Sequence, residues 1–359
     1  MVFFRSLLNS TEADVQDPDH VLNTSLPHNI SETATVVPAA WWTVLFYALM
    51  ITIAIVGNLL VILLVALYRK LRTPFNYILL NIAVADALVG LFSMPQYAAS
   101  YLYLGLWSFS DAQCSFWMFF DYFMPAISLS SIAALSCDRC WAVTYPTAYR
   151  NYHTHRKAFT IIGITWLFSV IGVLPGYSYT RSYFADQSVN QSCSWNVDGL
   201  PDWATDFTPL AVNIWIPFAI TLACYVATVL KILNLRLKRQ AIFPHALPAA
   251  QNSAGSQGKF FRARQDRQAF RVVTLLVCGF FIAYMPWTIY SVRAALLKYD
   301  DPAIFGDLAS WMSYSLSMFS PFICGAGSRD LQEGVKKLFG REDRGKLKRS
   351  SMRVNTIAN

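Results

Sequence analysis

Charged residues are scarce in this chain: Asp, Glu, Lys and Arg together make up only 14% of its 359 residues. A soluble globular domain usually carries about a quarter charged residues. Hydrophobic residues make up 55%, and they are gathered into long runs rather than spread along the chain. The shortage of charge excludes an ordinary soluble domain, and runs of this kind are typical of helices that face lipid.

Catalytic groupings are also absent from the sequence. It contains no cluster of metal ligands, no phosphate-binding loop and no nucleophile triad, so we expect a protein that is not an enzyme. The formal net charge is +8, but the basic residues lie between the apolar runs and in the C-terminal tail. This placement favours membrane orientation over nucleic acid binding.

Seven apolar runs approach the roughly 20 residues that a membrane-spanning helix needs. We predict an all-α membrane protein whose seven-transmembrane helix bundle covers residues 41–326. We find no internal repeat of the kind that transporters use, so a polytopic transporter is the less favoured alternative. The runs fall near residues 41–68, 75–97, 113–137, 158–177, 207–234, 270–293 and 306–326.

The connections between the runs alternate in charge. Lys and Arg cluster after the first, third and fifth runs and in the tail, whereas the other connections carry mainly Asp. The positive-inside rule places the basic connections and the C-terminus in the cytoplasm, which leaves the N-terminus outside. We therefore predict a multi-pass protein of the plasma membrane. Four glycosylation sequons lie on the predicted outer side, at Asn9, Asn23, Asn29 and Asn190.

Other segments lie outside the predicted spans. Residues 1–40 are polar and acidic, which predicts a disordered, glycosylated extracellular tail. In residues 327–340, apolar side chains recur at helical spacing opposite two lysines, which predicts an amphipathic helix on the inner membrane surface. Residues 341–359 are expected to form a basic cytoplasmic tail. Residues 240–265 are expected to form a flexible basic loop.

The third run carries polar residues along one side. Cys114, Asp121, Ser128 and Arg139 are separated by seven, seven and eleven residues, steps that keep them on roughly one face of a helix. At 1.5 Å per residue, Asp121 and Arg139 lie about 27 Å apart along the axis. One helical face therefore joins a site near the outer surface to a site at the inner surface.

Asp121 lies about two turns below the outer end of the third run. A carboxylate inside a span is costly and needs a partner, yet no Lys or Arg lies at matching depth in the other runs. We expect Asp121 to bind a cationic ligand rather than a basic side chain. Aromatic rings would add a cation–π attraction of about 2 kcal/mol when desolvated. The candidates, which ordinary packing would also explain, are Tyr122, Tyr284, Trp287, Trp311 and Tyr314.

Cysteine is scarce at the predicted outer face. The chain has seven cysteines, an odd number that excludes a fully paired framework, and only Cys114 and Cys193 lie outside. The others lie in the runs or near the inner face, where reduced thiols are expected. We predict a disulfide between Cys114 and Cys193.

Charged residues also mark the inner ends of two runs. Asp138 and Arg139 end the third run, and Asp266 precedes the sixth. We expect a pair between Arg139 and Asp266 that latches the two helices. A solvated Asp266 is the alternative, because surface pairs often contribute little to stability.

Taken together, these features resemble the rhodopsin-like family of G-protein-coupled receptors. The resemblance covers about residues 41–339 and implies heterotrimeric G proteins, arrestin and membrane lipids as partners. It rests on Gly57-Asn58, the segment Leu80-Asn81 to Asp86, Trp107, Cys114, Asp138-Arg139-Cys140, Trp166, Pro217 with Tyr225, Phe280 with Pro286, and Pro321.

Within that family, Asp121, Trp311 and Tyr314 match positions that characterise biogenic-amine receptors. The resemblance implies that Asp121 is the counter-ion of a small cationic amine. The pair Asp121-Tyr122 is similar to histamine and muscarinic acetylcholine receptors, and Asn213 stands where some histamine receptors have Asn. The resemblance therefore favours a histamine-like or acetylcholine-like ligand over a catecholamine.

Two rival receptor types follow from the same resemblance. A receptor for a peptide or lipid is the alternative, with Asp121 then meeting a basic residue or a cationic head group. An opsin is excluded, because the run 306–326 has no lysine for a retinal Schiff base.

The chain departs from the family at its switch positions. The usual Trp of the sixth run is Tyr284, and the usual Asn-Pro-x-x-Tyr is Ser320-Pro321-Phe-Ile-Cys324. By resemblance Tyr225 belongs to the active-state switch, and Cys324 lacks the hydroxyl that Tyr225 would meet. We therefore expect an altered inner switch.

An allosteric sodium ion is the one bound ion that the resemblance implies. Its site would use Asp86 and Ser128, but Leu316 and Ser320 replace the usual Asn partners. We expect a weakened sodium site and no other cofactor.

Overall fold

The structure is a computed structural model that describes residues 41–102, 107, 109–186, 193, 210–242, 254–297 and 303–340. All regular secondary structure in these residues is helical. The predicted all-α fold is therefore confirmed for this part of the chain. The predicted tails 1–40 and 341–359 lie outside it, as do Asn9, Asn23, Asn29 and Asn190.

Seven long helices occupy the described residues, and we number them first to seventh in chain order. The second is interrupted by a π-helical turn, Val89–Ser93, and the fifth is preceded by another, Ala211–Trp215. In order, the seven are Trp41–Leu67, Pro74–Leu102, Asp111–Thr144, His155–Asp186, Ile216–Ile242, Ala254–Leu297 and Ala303–Gly327. Shorter helices cover Arg69–Leu71, Pro146–Tyr152 and Arg329–Leu338.

The first six long helices each have the length and apolar composition needed to cross a membrane. The seventh has 25 residues, five of them serine, and is not among the six. It packs mainly on the sixth helix and also on the first and second. Ser317 and Ser320 are buried, whereas Phe319 and Phe322 are exposed on the outside of the bundle. The seventh helix therefore turns its polar face to the interior, as spans that carry function do.

The first helix shows how the bundle is assembled. Its buried residues Met50, Ala54, Asn58, Val61 and Val65 recur every three or four positions, so one stripe faces the other helices. Large apolar side chains elsewhere on this helix are exposed. This arrangement suits lipid, because a helix satisfies its own backbone hydrogen bonds and needs no water around its apolar side.

Small residues allow close helix contacts at defined points. A Cβ atom added at Gly57 would lie only 2.7 Å from Pro321 Cγ, so the first and seventh helices meet there.

Three of the long helices contain a proline and continue through it. Pro125 lies within the third helix, Pro286 within the sixth and Pro321 within the seventh. The neighbouring helices support these positions.

The prediction of a flexible loop over residues 240–265 is wrong for much of that range. The fifth helix continues to Ile242, and the sixth begins at Ala254, well before the apolar run that starts near residue 270. Residues 243–253 lie outside the described part. Apolar runs mark only the length of helix that crosses lipid, whereas Ala, Gln, Lys and Arg also favour helix in water.

A short surface helix, Arg329–Leu338, follows the seventh helix. The Ser328 hydroxyl accepts a hydrogen bond from the Leu331 N–H and so caps its start. Lys70 pairs with Asp330 at 2.9 Å and with Glu333 at 3.2 Å. The hydrogen bond with Asp330 raises the pKa of Lys70 above its usual value. The pairs are largely exposed, so they orient this helix more than they stabilise it.

Candidate ligand-binding site and inner network

Asp121 meets the seventh helix through Tyr314. The Tyr314 hydroxyl donates a hydrogen bond of 2.6 Å to Asp121 Oδ1. Tyr314 is buried, whereas Asp121 is only half-buried and keeps part of its surface accessible. Among the described residues, no Lys, Arg or His lies within ion-pair distance of Asp121. One carboxylate oxygen therefore has a phenol donor, and no cationic side chain of the described residues neutralises the charge.

Four aromatic rings form a wall beside this carboxylate, which we call the aromatic wall: Tyr47, Tyr97, Trp311 and Tyr314. Trp311 stacks on Tyr47 with ring centroids 4.0 Å apart and planes 9° apart. Tyr97 meets the edges of Trp311 and Tyr314, each at 5.5 Å. The structure thus brings Tyr314 to Asp121, and Trp311 lies against Tyr314 with ring centroids 5.7 Å apart. The sequence does not single out Tyr47 and Tyr97, because nothing in it tells which tyrosines of the first two helices face the seventh.

Asp307 ends the aromatic wall on its outer side. The Tyr97 hydroxyl donates to Asp307 Oδ1 at 3.2 Å. Asp307, Trp311 and Tyr314 lie at positions i, i+4 and i+7 of the seventh helix, so they share one face. Spacing within the seventh run is enough to place Asp307 on this face, but Asp307 is not among the residues predicted for the site.

The other predicted aromatic site residues belong to the third and sixth helices. Tyr122 is half-buried next to Asp121. Tyr284 is buried and packs edge-on against Phe280 at 5.5 Å. Trp287 is half-buried beside Tyr290. In the described part of the chain, neither Tyr284 nor Trp287 makes a hydrogen bond to Asp121.

The Asn213 side chain is buried. Among the described residues, neither its amide oxygen nor its amide nitrogen has a hydrogen-bond partner. It lies against Gly172 of the fourth helix, where a Cβ atom would collide with it. Leaving both ends of a buried amide unpaired costs free energy, which marks Asn213 as a position that a ligand would satisfy.

Asp86 is surrounded by serine hydroxyls. Ser128 and Ser317 each donate to its Oδ1 at 2.9 Å, and Ser320 donates to its Oδ2 at 2.5 Å. Asn58 joins the same network through the Ser317 carbonyl at 2.9 Å. The predicted neighbour Ser128 is present, and Ser320 has taken the contact usually made by Asn. Ser317 was not predicted, because no spacing rule distinguishes it from the other serines of the seventh helix.

The predicted outer end of the third helix carries a disulfide bond. Cys114 and Cys193 form a disulfide with a Cα–Cα distance of 5.8 Å, and this predicted pairing is confirmed. Trp107 stacks on Trp117 of the third helix at 5.2 Å. The outer end of the third helix is thereby held in place beside the candidate site.

Comparison with known proteins agrees with this arrangement. The family model described as 7 transmembrane receptor (rhodopsin family) matches residues 57–323. The chain belongs to this family. It is a multi-pass membrane receptor and not an enzyme, and its seven long helices are the family's transmembrane bundle.

Similar proteins are amine receptors by name. The Octopamine receptor beta-1R of Drosophila melanogaster is 27% identical over 79% of this chain, but the match covers only 58% of that receptor's length. The 5-hydroxytryptamine receptor 1B of Spalax ehrenbergi is 24% identical over 88% of the chain and 93% of that receptor. The muscarinic acetylcholine receptor M1 of Homo sapiens is 33% identical over 47% of the chain and 38% of that receptor.

At the inner end of this receptor's third helix, the Asp138 carboxylate is contacted by three side chains. Asp138 accepts hydrogen bonds from Arg139 and from the Tyr149 hydroxyl, and its Oδ1 lies 3.1 Å from His153 Nε2. Arg139 also bonds to the Tyr149 hydroxyl and lies over the Phe75 ring. Tyr149 and His153 belong to the connection after the third helix, and sequence motifs do not mark them.

A cavity of about 220 Å³ opens beside this network. Phe75, Arg139, Tyr149 and Val272 line it, so it lies between the inner ends of the second, third and sixth helices. Tyr225 stacks on Phe270 with centroids 6.0 Å apart and joins the fifth helix to the sixth. The side chain of Asp266 lies outside the described residues, so the latch with Arg139 stays a prediction.

Proposed function

We propose that this receptor binds a small extracellular cationic amine at Asp121 and in response activates a heterotrimeric G protein. The observation that carries the proposal is the half-buried Asp121 carboxylate, which has a phenol donor and an aromatic wall but no basic partner among the described residues. A charge inside a bundle is costly unless it is paired. An ammonium group supplies the missing charge.

The aromatic wall supports an ammonium ligand in particular. The rings of Tyr97, Trp311 and Tyr314 pack edge to face against one another, and Tyr314 bonds to Asp121. A cation over such faces gains roughly 0.5 to 2 kcal/mol, more as water is removed. A neutral lipid ligand would gain neither the ion pair nor this attraction, and a peptide would use the site only through a basic group.

We propose a histamine-like or acetylcholine-like ligand within the amine class. The unpaired amide of Asn213 offers both a donor and an acceptor, which suits an imidazole or an ester at the end of the ligand away from the ammonium. The relatives' names span octopamine, acetylcholine and 5-hydroxytryptamine, so family membership supports the class of amine more than the individual amine.

The proposal also covers the orientation of the receptor in the membrane and the proteins and lipids that bind its cytoplasmic side. The receptor lies in the plasma membrane with its N-terminus outside and its basic connections in the cytoplasm, in line with the positive-inside rule. The G protein binds at the inner cavity beside Arg139, and arrestin competes for the same face. Membrane lipids hold the surface helix Arg329–Leu338, whose Lys336 and Lys337 lie in its last turn.

Activation is a population shift between two states. The ligand acts only through a higher affinity for the state in which the sixth helix moves away from Arg139. The contacts of Asp138 with Arg139, Tyr149 and His153 belong to the resting state in this scheme. Breaking them costs free energy, which amine binding at the outer end offsets.

A sodium ion at Asp86 is a further proposal for the resting state. The Asp86 carboxylate and the hydroxyls of Ser128, Ser317 and Ser320 present oxygen atoms of four side chains within one buried cluster, and hard cations prefer oxygen ligands. The residues therefore fit a small cation, which would add positive charge beside Asp86.

The proposed function is tested by Asp121→Asn. We expect it to abolish specific amine binding while surface expression stays normal, because the amide keeps the shape but loses the charge. The matched control is Asp111→Asn, an exposed acid at the outer start of the same helix. Displacement of a labelled amine from intact cells measures the difference. Unchanged affinity in Asp121→Asn contradicts the amine site.

A further inference from the structure

Asp307 is a second carboxylate on the outer side of the aromatic wall. It lies seven residues before Tyr314 on the same helical face, about 10 Å away along the axis. Tyr314 bonds to Asp121, so the two acids stand at opposite ends of one wall. Asp307 is half-buried, and among the described residues no Lys or Arg lies within ion-pair distance of it.

Tyr97 links the two ends of the wall. Its hydroxyl donates to Asp307, and its ring contacts both Trp311 and Tyr314. Both carboxylates lie within electrostatic range of this hydroxyl. The three rings fill the distance between the acids with surfaces that attract cations and cover an apolar linker.

Two buried polar groups of the same region lack a hydrogen bond of full geometry within the described part of the chain. The Ser93 hydroxyl is fully buried one turn before Tyr97 on the second helix and lies close enough to Asp121 to interact with it. Trp311 Nε1 is also buried and lies near the Tyr47 hydroxyl. A ligand acceptor beside Asp121 or the aromatic wall would complete the hydrogen bonds of these donors.

We propose that Asp307 forms a second cation subsite and that the receptor prefers small dicationic amines, with one ammonium group at Asp121 and the other at Asp307. This inference rests on the proposed amine site at Asp121. A dication neutralises both acids, and its linker lies along Tyr97, Trp311 and Tyr314. An acceptor atom in the linker would satisfy Trp311 Nε1.

Tyr97 and Asp307 also have a purely structural explanation, in which their hydrogen bond holds the second helix to the seventh. The two explanations predict different effects of Asp307 on the affinity of ligands that carry a second amino group. A tether affects every ligand alike, whereas a subsite affects only ligands that carry a second charge. A comparison of ligands across one mutation therefore separates them.

The experiment uses the full chain on intact cells and two series of probes. These are α,ω-diaminoalkanes of four to eight carbons and the 1-aminoalkanes of the same lengths. In the unmodified receptor we expect the best diamine to bind about tenfold more tightly than its matched monoamine, because it forms one additional charge-assisted hydrogen bond. Asp307→Asn should remove this preference and leave monoamine affinity within about twofold.

Two controls complete the design. Asp111→Asn removes an acid from the outer end of the third helix and should leave the diamine preference unchanged. Tyr97→Phe keeps the ring but removes the hydroxyl that occupies Asp307, so the diamine preference should increase, whereas loss of a mere tether leaves the preference unchanged. If Asp307→Asn fails to reach the surface, Tyr97→Phe still tests the inference, because loss of a mere tether would weaken monoamines and diamines equally.

The outcomes distinguish this inference from the proposed function. Equal affinity for diamines and monoamines at every length, or equal losses for both in Asp307→Asn, contradicts the second subsite and leaves the amine site intact. Amine binding that survives Asp121→Asn contradicts the proposed function and the second subsite with it. A diamine preference that disappears only in Asp307→Asn supports the inference.

Discussion

At the scale of single residues, the interior of this receptor is organised by acids and the hydroxyls that satisfy them. Asp121 has Tyr314, Asp307 has Tyr97, and Asp86 has serines from the third and seventh helices. Each hydroxyl belongs to a different helix from its acid. Residue-level changes should therefore act on the contact between two helices as well as on the acid itself.

Ser320→Ala tests this at Asp86. The substitution removes one of the hydroxyl donors of a fully buried carboxylate. We expect the free energy of unfolding to fall by about 1 to 3 kcal/mol, the usual cost of leaving a buried group short of a partner. Thermal unfolding of the purified receptor measures it.

The control for Ser320→Ala is Ser315→Ala on the same helix. Within the described residues the Ser315 hydroxyl bonds only to the Met312 carbonyl of its own helix, so its loss should change stability little. Equal effects of the two substitutions would show that the serine contacts of Asp86 add nothing specific.

At the scale of helices, packing depends on where small residues stand rather than on how many there are. Gly57 lies against Pro321 of the seventh helix, whereas Gly163 of the fourth helix has no atom within 4 Å of an added Cβ. Both are glycines within helices, where alanine is intrinsically favoured by about 1 kcal/mol. Only the packing differs between the two positions.

The pair Gly57→Ala and Gly163→Ala separates packing from helix propensity. We expect Gly57→Ala to lower the unfolding temperature, because overpacking costs typically 1 to 3 kcal/mol and Pro321 is a rigid neighbour. Gly163→Ala should leave the temperature unchanged or raise it slightly. A scan of thermal unfolding in detergent measures both, and a rise in Gly57→Ala would contradict the close contact.

At the scale of the whole molecule, the third helix connects the two functional ends. Asp121 lies near the disulfide-tied outer end, and Arg139 lies in the inner network with Asp138, Tyr149 and His153. A ligand at one end can influence the other only if the bundle has two states that differ at both ends. In the activation scheme that we propose, the inner network holds the resting state.

Tyr149→Phe tests that role. It removes the hydroxyl that bonds to both Asp138 and Arg139 while keeping the ring stacked on His153. We expect basal G-protein activation to rise severalfold, because about 1 to 2 kcal/mol of the resting contacts is lost. Nucleotide exchange on a co-expressed G protein measures it without ligand.

The matched control is Tyr152→Phe in the same short helix, where the side chain is 68% exposed. It should leave basal activity unchanged. If both variants behave alike, the hydroxyl of Tyr149 does not hold the resting state.

Sequence by itself determined the seven spans, the disulfide and the position of Asp121. These follow from local rules: apolar length, the compartment of a thiol, and the cost of a charge in lipid. The same rules did not predict that the sixth helix begins as early as Ala254, because hydropathy indicates the part of a helix that contacts lipid and not the full length of the helix.

Only the tertiary structure decided which side chains meet. Tyr47, Tyr97 and Asp307 join Trp311 at the outer end, and Ser317 joins Asp86, although they are far apart in the chain. Spacing within one helix predicts a shared face, but it does not tell which neighbouring helix that face contacts or at what depth. Rotation and depth are set by close contacts such as that of Gly57 with Pro321, and these exist only in the packed bundle.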